Sequence, residues 1–289
     1  MTASFTRKNR GRNHWYLDVD GNKLDGVTWV LSNGIPKPAL VGWAAGAVGD
    51  FVTDRLQIHD GRIVADEVLD DLRAIGAQRE RPIPDWREAK KIPRTKIADG
   101  FKGLPYADRD AAGGRGTETH RLAQLLAEGE EVTVPDELAG HVDAYLAFRD
   151  DWQPHDEHVE VPVANHTHRY AGTLDLFGRL GAAPELGTCL IDLKTNRSGP
   201  FGETALQIAA YRYAEVMLDE SGDERPMVDI DSTLCLWLRA DGYDLYPFDA
   251  GPAEFRTFLY AQQVAHFCDQ RSREVKGESM RVPAKAATA

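Results

Sequence analysis

The sequence predicts an α/β (α+β) fold: a mixed central β-sheet flanked by helices, with an N-terminal helical addition. Three observations predict it. "EHVEVPVA", "RYAGTLDLFGRL" and "TCLIDLKT" are successive strand-like runs, rich in β-branched and aliphatic residues. Helix-spaced stretches stand on both sides of them, giving the order helix, three strands, helix, strands, helix. No uncharged apolar run is long enough to cross a bilayer, so the elements must bury their apolar faces on one another.

Taken in order, "HWYLDVDGNKLDGVTWVLS" reads as a small hairpin turning at Asp20-Gly21. "KPALVGWAAGAVGDFVTDRL" and "DEVLDDLRAIGAQ" have helical spacing, whereas the basic "RPIPDWREAKKIPRTKIADGFKGLP" reads as short helices and loops broken by proline. "GTETHRLAQLLAEGEEV" is a helix stopped at Gly129, and "PDELAGHVDAYLAFRDDW" a second helix behind Pro135. After the three strands, "GETALQIAAYRYAEVMLDE" is helical, "DSTLCLWLR" and "GYDLYPF" are strands, and "PAEFRTFLYAQQVAHFCDQR" is the closing helix. The division expected is residues 1–110 as a hairpin and helical region packing on the core and open to DNA contacts, 111–275 as the core, and 276–289 as a disordered tail.

The chain has 289 residues and a net charge of −12, a balance that disfavours a general polyanion binder but fits a site built of carboxylates. The basic N-terminus lacks the apolar core of a signal peptide, so a cytoplasmic protein without membrane association is expected. Cys189, Cys235 and Cys268 are widely spaced and odd in number, which reads as buried free thiols.

Charged residues inside the strands point to chemistry. Asp175 stands between Leu174 and Leu176, and Asp192 between Ile191 and Leu193. A carboxylate in a buried sheet is costly unless it is paired, protonated or bound to a cation. Two on neighbouring strands cost more, and a divalent cation relieves both. Lys194 shares the face of Asp192, because strand side chains alternate with period two. Gln207 and Tyr211 share one helical face at i, i+4. Upstream, Gly116 precedes His120 by four residues, and a neutral imidazole is a metal ligand.

In this order, Gly116-x-x-x-His120, Gly172-Thr-Leu-Asp175, Asp192-Leu-Lys194 and Gln207-x-x-x-Tyr211 resemble the motif set of the RecB-like branch of the PD-(D/E)XK nuclease superfamily. The resemblance spans about residues 111–240, and the front of the chain resembles phage exonucleases related to the CRISPR-associated RecB-like exonucleases. It implies a restriction-endonuclease-like core and Mg²⁺- or Mn²⁺-dependent hydrolysis of phosphodiester bonds at DNA ends, in replication, recombination or repair. It implies His120, Asp175, Asp192 and the backbone carbonyl of Leu193 as metal ligands. Lys194 would assist the water nucleophile, and Gln207 and Tyr211 would position the site or the DNA backbone. Glu118 and Glu160 rank below these as further acids. Relatives hold an Fe–S cluster on four cysteines; with three, this chain is expected to hold none. A phage-encoded protein would work in the host cytoplasm, and a homo-oligomer or a recombination or replication partner protein is compatible with this activity.

Two alternatives stand beside it. One is an inactive nucleic-acid-binding module of the same fold. The other is a zinc protein using His155, His158, His166 and His168, although no cysteine accompanies them. For DNA contacts the candidates are "TRKNRGR", "REAKKIPRTKIADGFK" and the aromatics Trp15, Tyr16, Trp43 and Trp86.

Overall fold

The computed structural model describes residues 4–10, 13–55, 57–59, 62–64, 70–75 and 94–279. The chain divides into a sheet unit, Met1–Ile35, Leu126–Glu131 and Gly140–Ala289, and a helical unit, Pro36–Leu125 and Val132–Ala139. The sheet unit thus takes in the N-terminal hairpin together with the core strands. Trp86 and residues 87–93 of "REAKKIPRTKIADGFK" lie outside the described residues, as does the tail from Met280.

The sheet unit opens with β1 (Thr6–Arg10), β2 (Asn13–Leu17) and β3 (Lys23–Gly26). The Asp20-Gly21 turn forms as expected: Asp18 accepts the backbone N–H groups of Asp20 and Asn22, and Gly21 adopts φ +81°. β2 and β3 pair antiparallel across it as the expected hairpin, but from Val27 the chain is α1 (Val27–Gly34) rather than more strand. Its β-branched residues favour a strand locally, but Val27, Val30, Leu31 and Gly34 form one buried helical stripe. Gly34 permits the close approach to the C-terminal helix, since a Cβ there would stand 2.0 Å from the Ala261 carbonyl oxygen. Tertiary packing overrides propensity here.

In the helical unit, α2 (Pro38–Arg55) is followed by a short hairpin, β4 (Gln57–His59) with β5 (Arg62–Val64), and then α3 (Arg94–Ala127). The short, Pro-broken helices and loops expected up to residue 105 are corrected from Arg94 onward to one long helix, because α3 runs through Pro105. Apolar packing holds that stretch as helix, with Phe101 and Leu104 clustering with Val48, Phe51, Leu72 and Ile75. Beyond α3, Gly129 takes the left-handed conformation that stops the chain after its last helical turn, as its position suggested.

The sheet unit resumes with α4 (Ala139–Trp152), β6 (Pro154–Asn165), β7 (Tyr170–Leu180), β8 (Cys189–Lys194), α5 (Glu203–Arg212), β9 (Val216–Leu218), β10 (Glu224–Pro226), β11 (Ser232–Arg239), β12 (Gly242–Pro247) and α6 (Pro252–His266). The fold is mixed α/β. The helix expected to run past residue 212 ends there, and Val216–Leu218 forms instead a strand between β6 and β10, where Met217 is buried. The sheet is mixed: β6, β7 and β8 form an antiparallel meander, and β8 pairs in parallel with β11.

β7 organises the site. Along one edge it pairs with β6 through most of its length. Its other edge is shared: β3 pairs with Tyr170 and Ala171, and β8 pairs with Leu176, Phe177 and Gly178. Between them, Gly172–Asp175 has no ladder partner on that side among the described residues. The main core lies on one face of the sheet, where Val30 of α1, Ile208 and Tyr211 of α5 and Phe258 of α6 cover Val163, Tyr170, Leu174, Leu190 and Cys235. A smaller cluster joins Phe5, Tyr16 and Leu24 to Ala164 and Ala171. Cys189 and Cys235 are buried and free; Cys268 is free but exposed, beyond the last core-facing turn of α6, which corrects its expected burial.

Candidate metal and phosphodiester site

Strand alternation slips where the carboxylates sit. On β7, Tyr170 and Leu174 face the main core, and the next core residue is Phe177, three positions on rather than two. On β6, Val161 packs on the same core, and the next ring to join, His158, stacks on Phe177 with centroids 5.8 Å apart. Glu160 falls between them with φ 52°, a left-handed conformation unusual for a residue with a side chain. The register of Val159 with Leu176 and Val161 with Leu174 sets Glu160 opposite Asp175. Their carboxylate oxygens lie within 4.8 Å of each other. Like charges so placed repel, and a hard divalent cation with oxygen ligands is the ordinary remedy.

Asp175 also closes the opening in the sheet. Its Oδ2 accepts the backbone N–H of Leu193 at 2.6 Å, so a side chain takes the place of a ladder carbonyl where β7 and β8 part. The sequence reading named the Leu193 backbone through its carbonyl; the contact observed is through its N–H.

On β8, Asp192 and Lys194 do share a face. Lys194 Nζ lies 2.5 Å from Asp192 Oδ2, and the Asp192 side chain is fully buried. Gln207 of α5 joins them: its Nε2 donates to Asp192 Oδ1 at 2.9 Å and to the Tyr211 hydroxyl at 3.1 Å, and its Oε1 accepts from Lys194 at 3.1 Å. The i, i+4 spacing therefore presents both side chains to one network. Burial opposes the charge on Lys194, but Asp192 and then Asp175 outweigh it and hold the ammonium above its ordinary pKa. Lys194 is a fixed cation and hydrogen-bond donor rather than a base. Burial, then the charges of Asp192 and Asp175, keep the Tyr211 phenol protonated.

Five sequence-predicted residues, Asp175, Asp192, Lys194, Gln207 and Tyr211, are thus gathered around β7, β8 and α5. Asp192 is engaged by Lys194 and Gln207, whereas Glu160, ranked lower from sequence, stands beside Asp175. No local signal in "EHVEVPVA" marks Glu160; its importance comes from cross-strand register. His120 is carried by α3 of the helical unit. Glu118 is held by Arg121 at 2.6 Å along the same helix. Tyr16, a candidate for base stacking, is 1% exposed and cannot serve, because it fills the smaller core. Trp43 is exposed.

Three of the four histidines of the zinc alternative are used separately. His158 stacks on Phe177, His166 Nε2 lies 3.1 Å from Glu224, and the His168 ring meets Phe255 edge-on. Among the described residues the metal-ligand group contains none of them.

No family model and no curated protein matches the chain. A solved structure, "Crystal structure of SSO0001", is similar at 14% identity over 46% of this chain and 60% of that one, with a TM-score of 0.26. That likeness is too slight to bear on fold or function. No helix among the described residues is long and apolar enough to cross a membrane.

Proposed function

We propose that the chain is a metal-dependent DNA nuclease of the PD-(D/E)XK type, an exonuclease that hydrolyses phosphodiester bonds at DNA ends. The observation that carries this reading is the pairing of Glu160 and Asp175 beside the Asp192–Lys194–Gln207 network. The donor pair suits Mg²⁺ or Mn²⁺: Glu160 and Asp175 supply hard oxygen ligands, and the motif order alone adds His120. Asp192, which the motif order makes a further ligand, is held by Lys194 and Gln207.

The bound ion would polarise the phosphodiester and acidify a water. The protein's own residues do the rest. Asp175 fixes β8 to β7 through Leu193, which sets the depth of Asp192 and Lys194. Asp192 keeps Lys194 charged, so its ammonium can donate to the attacking water or to a phosphate oxygen as negative charge develops. Gln207 holds the Lys194 and Asp192 head groups together, and Tyr211 buttresses Gln207 from the same helix.

The test is digestion of 5′- and 3′-labelled single- and double-stranded DNA with Mg²⁺ or Mn²⁺, beside Asp175→Ala and Asp192→Ala. Shortening of labelled ends by the unaltered protein alone is expected, and the label released first gives the polarity. No cleavage with either metal, or equal cleavage by the variants, overturns the reading.

A further inference from the structure

The basic run that opens the chain leads to the site by an independent route. "TRKNR" is β1, paired antiparallel with β2 so that Arg7 stands opposite Tyr16 and Asn9 opposite His14. Directly paired residues share a face, so Arg7, Tyr16 and His14 form one group. Tyr16 is buried, and its hydroxyl lies 2.7 Å from Thr173 Oγ1, two residues before Asp175 on β7. Arg7 and Glu160 both act electrostatically on Tyr16, and Arg7 acts on His14 as well. Arg7 and Glu160 thus both stand near Tyr16, whose hydroxyl reaches β7 two residues before Asp175.

The Arg7 Nε is buried and has no hydrogen-bond partner among the described residues. A buried guanidinium N–H without an acceptor is costly, and in a chain with 46 acidic residues an acceptor would be easy to supply. A planar fork of donors beside a carboxylate centre fits an anion brought by the substrate, and phosphate oxygens match that fork.

We propose that Arg7 is a phosphate-binding residue of this site, donating to a non-bridging oxygen of the DNA phosphodiester presented to Glu160 and Asp175. The proposal rests on the nuclease reading and adds the group that receives the substrate's charge. Tyr16, anchored on Thr173, positions Arg7 by packing beside it on the paired strand.

The experiment measures binding of a fluorescein-labelled oligothymidylate by anisotropy, with Ca²⁺ replacing Mg²⁺ and across a range of salt concentrations. Arg7→Gln should bind about tenfold more weakly and lose about one from the slope of log affinity against log salt. Arg7→Lys should recover part of the affinity, and circular dichroism of each variant checks the fold. Lys23→Gln, an exposed position on β3, should leave affinity near that of the unaltered protein. Equal affinity and slope for Arg7→Gln, equal losses for Arg7→Gln and Lys23→Gln, or no binding by the unaltered protein overturns the proposal. Arg7-dependent binding without hydrolysis in Mg²⁺ or Mn²⁺ leaves the phosphate site standing and overturns the catalytic reading instead.

Discussion

Gly172 and Tyr211 press against each other: a Cβ on Gly172 would stand 2.5 Å from Cε1 of the Tyr211 ring. The glycine of the Gly-x-x-Asp motif thus has a steric reason. It lies on the stretch of β7 that has no ladder partner on one edge among the described residues, and its missing side chain lets Tyr211, and with it Gln207, come down onto Asp192.

Gly172→Ala should therefore damage the site and not only the fold. Overpacking of this kind costs about 1–3 kcal/mol. Because Val27 also comes within 3.1 Å of the added Cβ, the ring has little room to yield. The expected outcome is a lower melting temperature together with a large loss of nuclease turnover. Pairing it with Tyr211→Leu should recover stability more than turnover. Thermal denaturation and end-label release on the same samples check this.

Metal binding should depend on Glu160 as much as on Asp175. A ligand that binds only the folded state raises the melting temperature by mass action. Mn²⁺ should stabilise the unaltered protein, and the shift should vanish in both Glu160→Gln and Asp175→Asn. A full Mn²⁺ shift in Glu160→Gln would remove that residue from the ligand set.

The Asp192–Lys194 pair makes a pH prediction. The Lys194 pKa is raised above its ordinary 10.5, so its contribution to stability is complete below that pH and is lost as pH rises through the folded value. Lys194→Met leaves Asp192 buried without its cation and should cost about 3–5 kcal/mol near neutrality. The double change Asp192→Asn with Lys194→Met should recover much of that. The stability gap between unaltered protein and Lys194→Met should narrow only above about pH 10.5, as followed by urea denaturation from neutral to alkaline pH.

The thiols should divide by burial. Burial pushes Cys235 up to about 12, with Asp192 adding to it, and Cys189 up to about 11, both from an ordinary 9.0. Only the thiolate is nucleophilic. Iodoacetamide at mildly alkaline pH should label Cys268 in the native protein and reach the other two only after unfolding. Mass spectrometry of the labelled peptides reads this directly.

The strand order around the site was legible because "RYAGTLDLFGRL" and "TCLIDLKT" combine strand composition with charges that a sheet does not bury without cause. Asp192, Lys194, Gln207 and Tyr211 could be placed on common faces by periodicity alone, and their contacts follow that placement. Three features were not legible. Val27–Gly34 has the composition of a strand and becomes a helix through packing against α6. Val216–Leu218 continues a helical pattern but pairs as a strand between β6 and β10. Glu160 depends on a strand register and a left-handed backbone that no local pattern encodes.

Glu160 also carries a consequence for laboratory evolution. Its left-handed backbone costs about 1 kcal/mol that glycine would not incur, and its charge adds repulsion from Asp175. Selection for heat resistance alone should therefore recover glycine or asparagine at position 160, and selection for turnover should restore the glutamate. One position would then trade endurance against catalysis, so a thermally hardened form of this protein would have to gain its stability elsewhere.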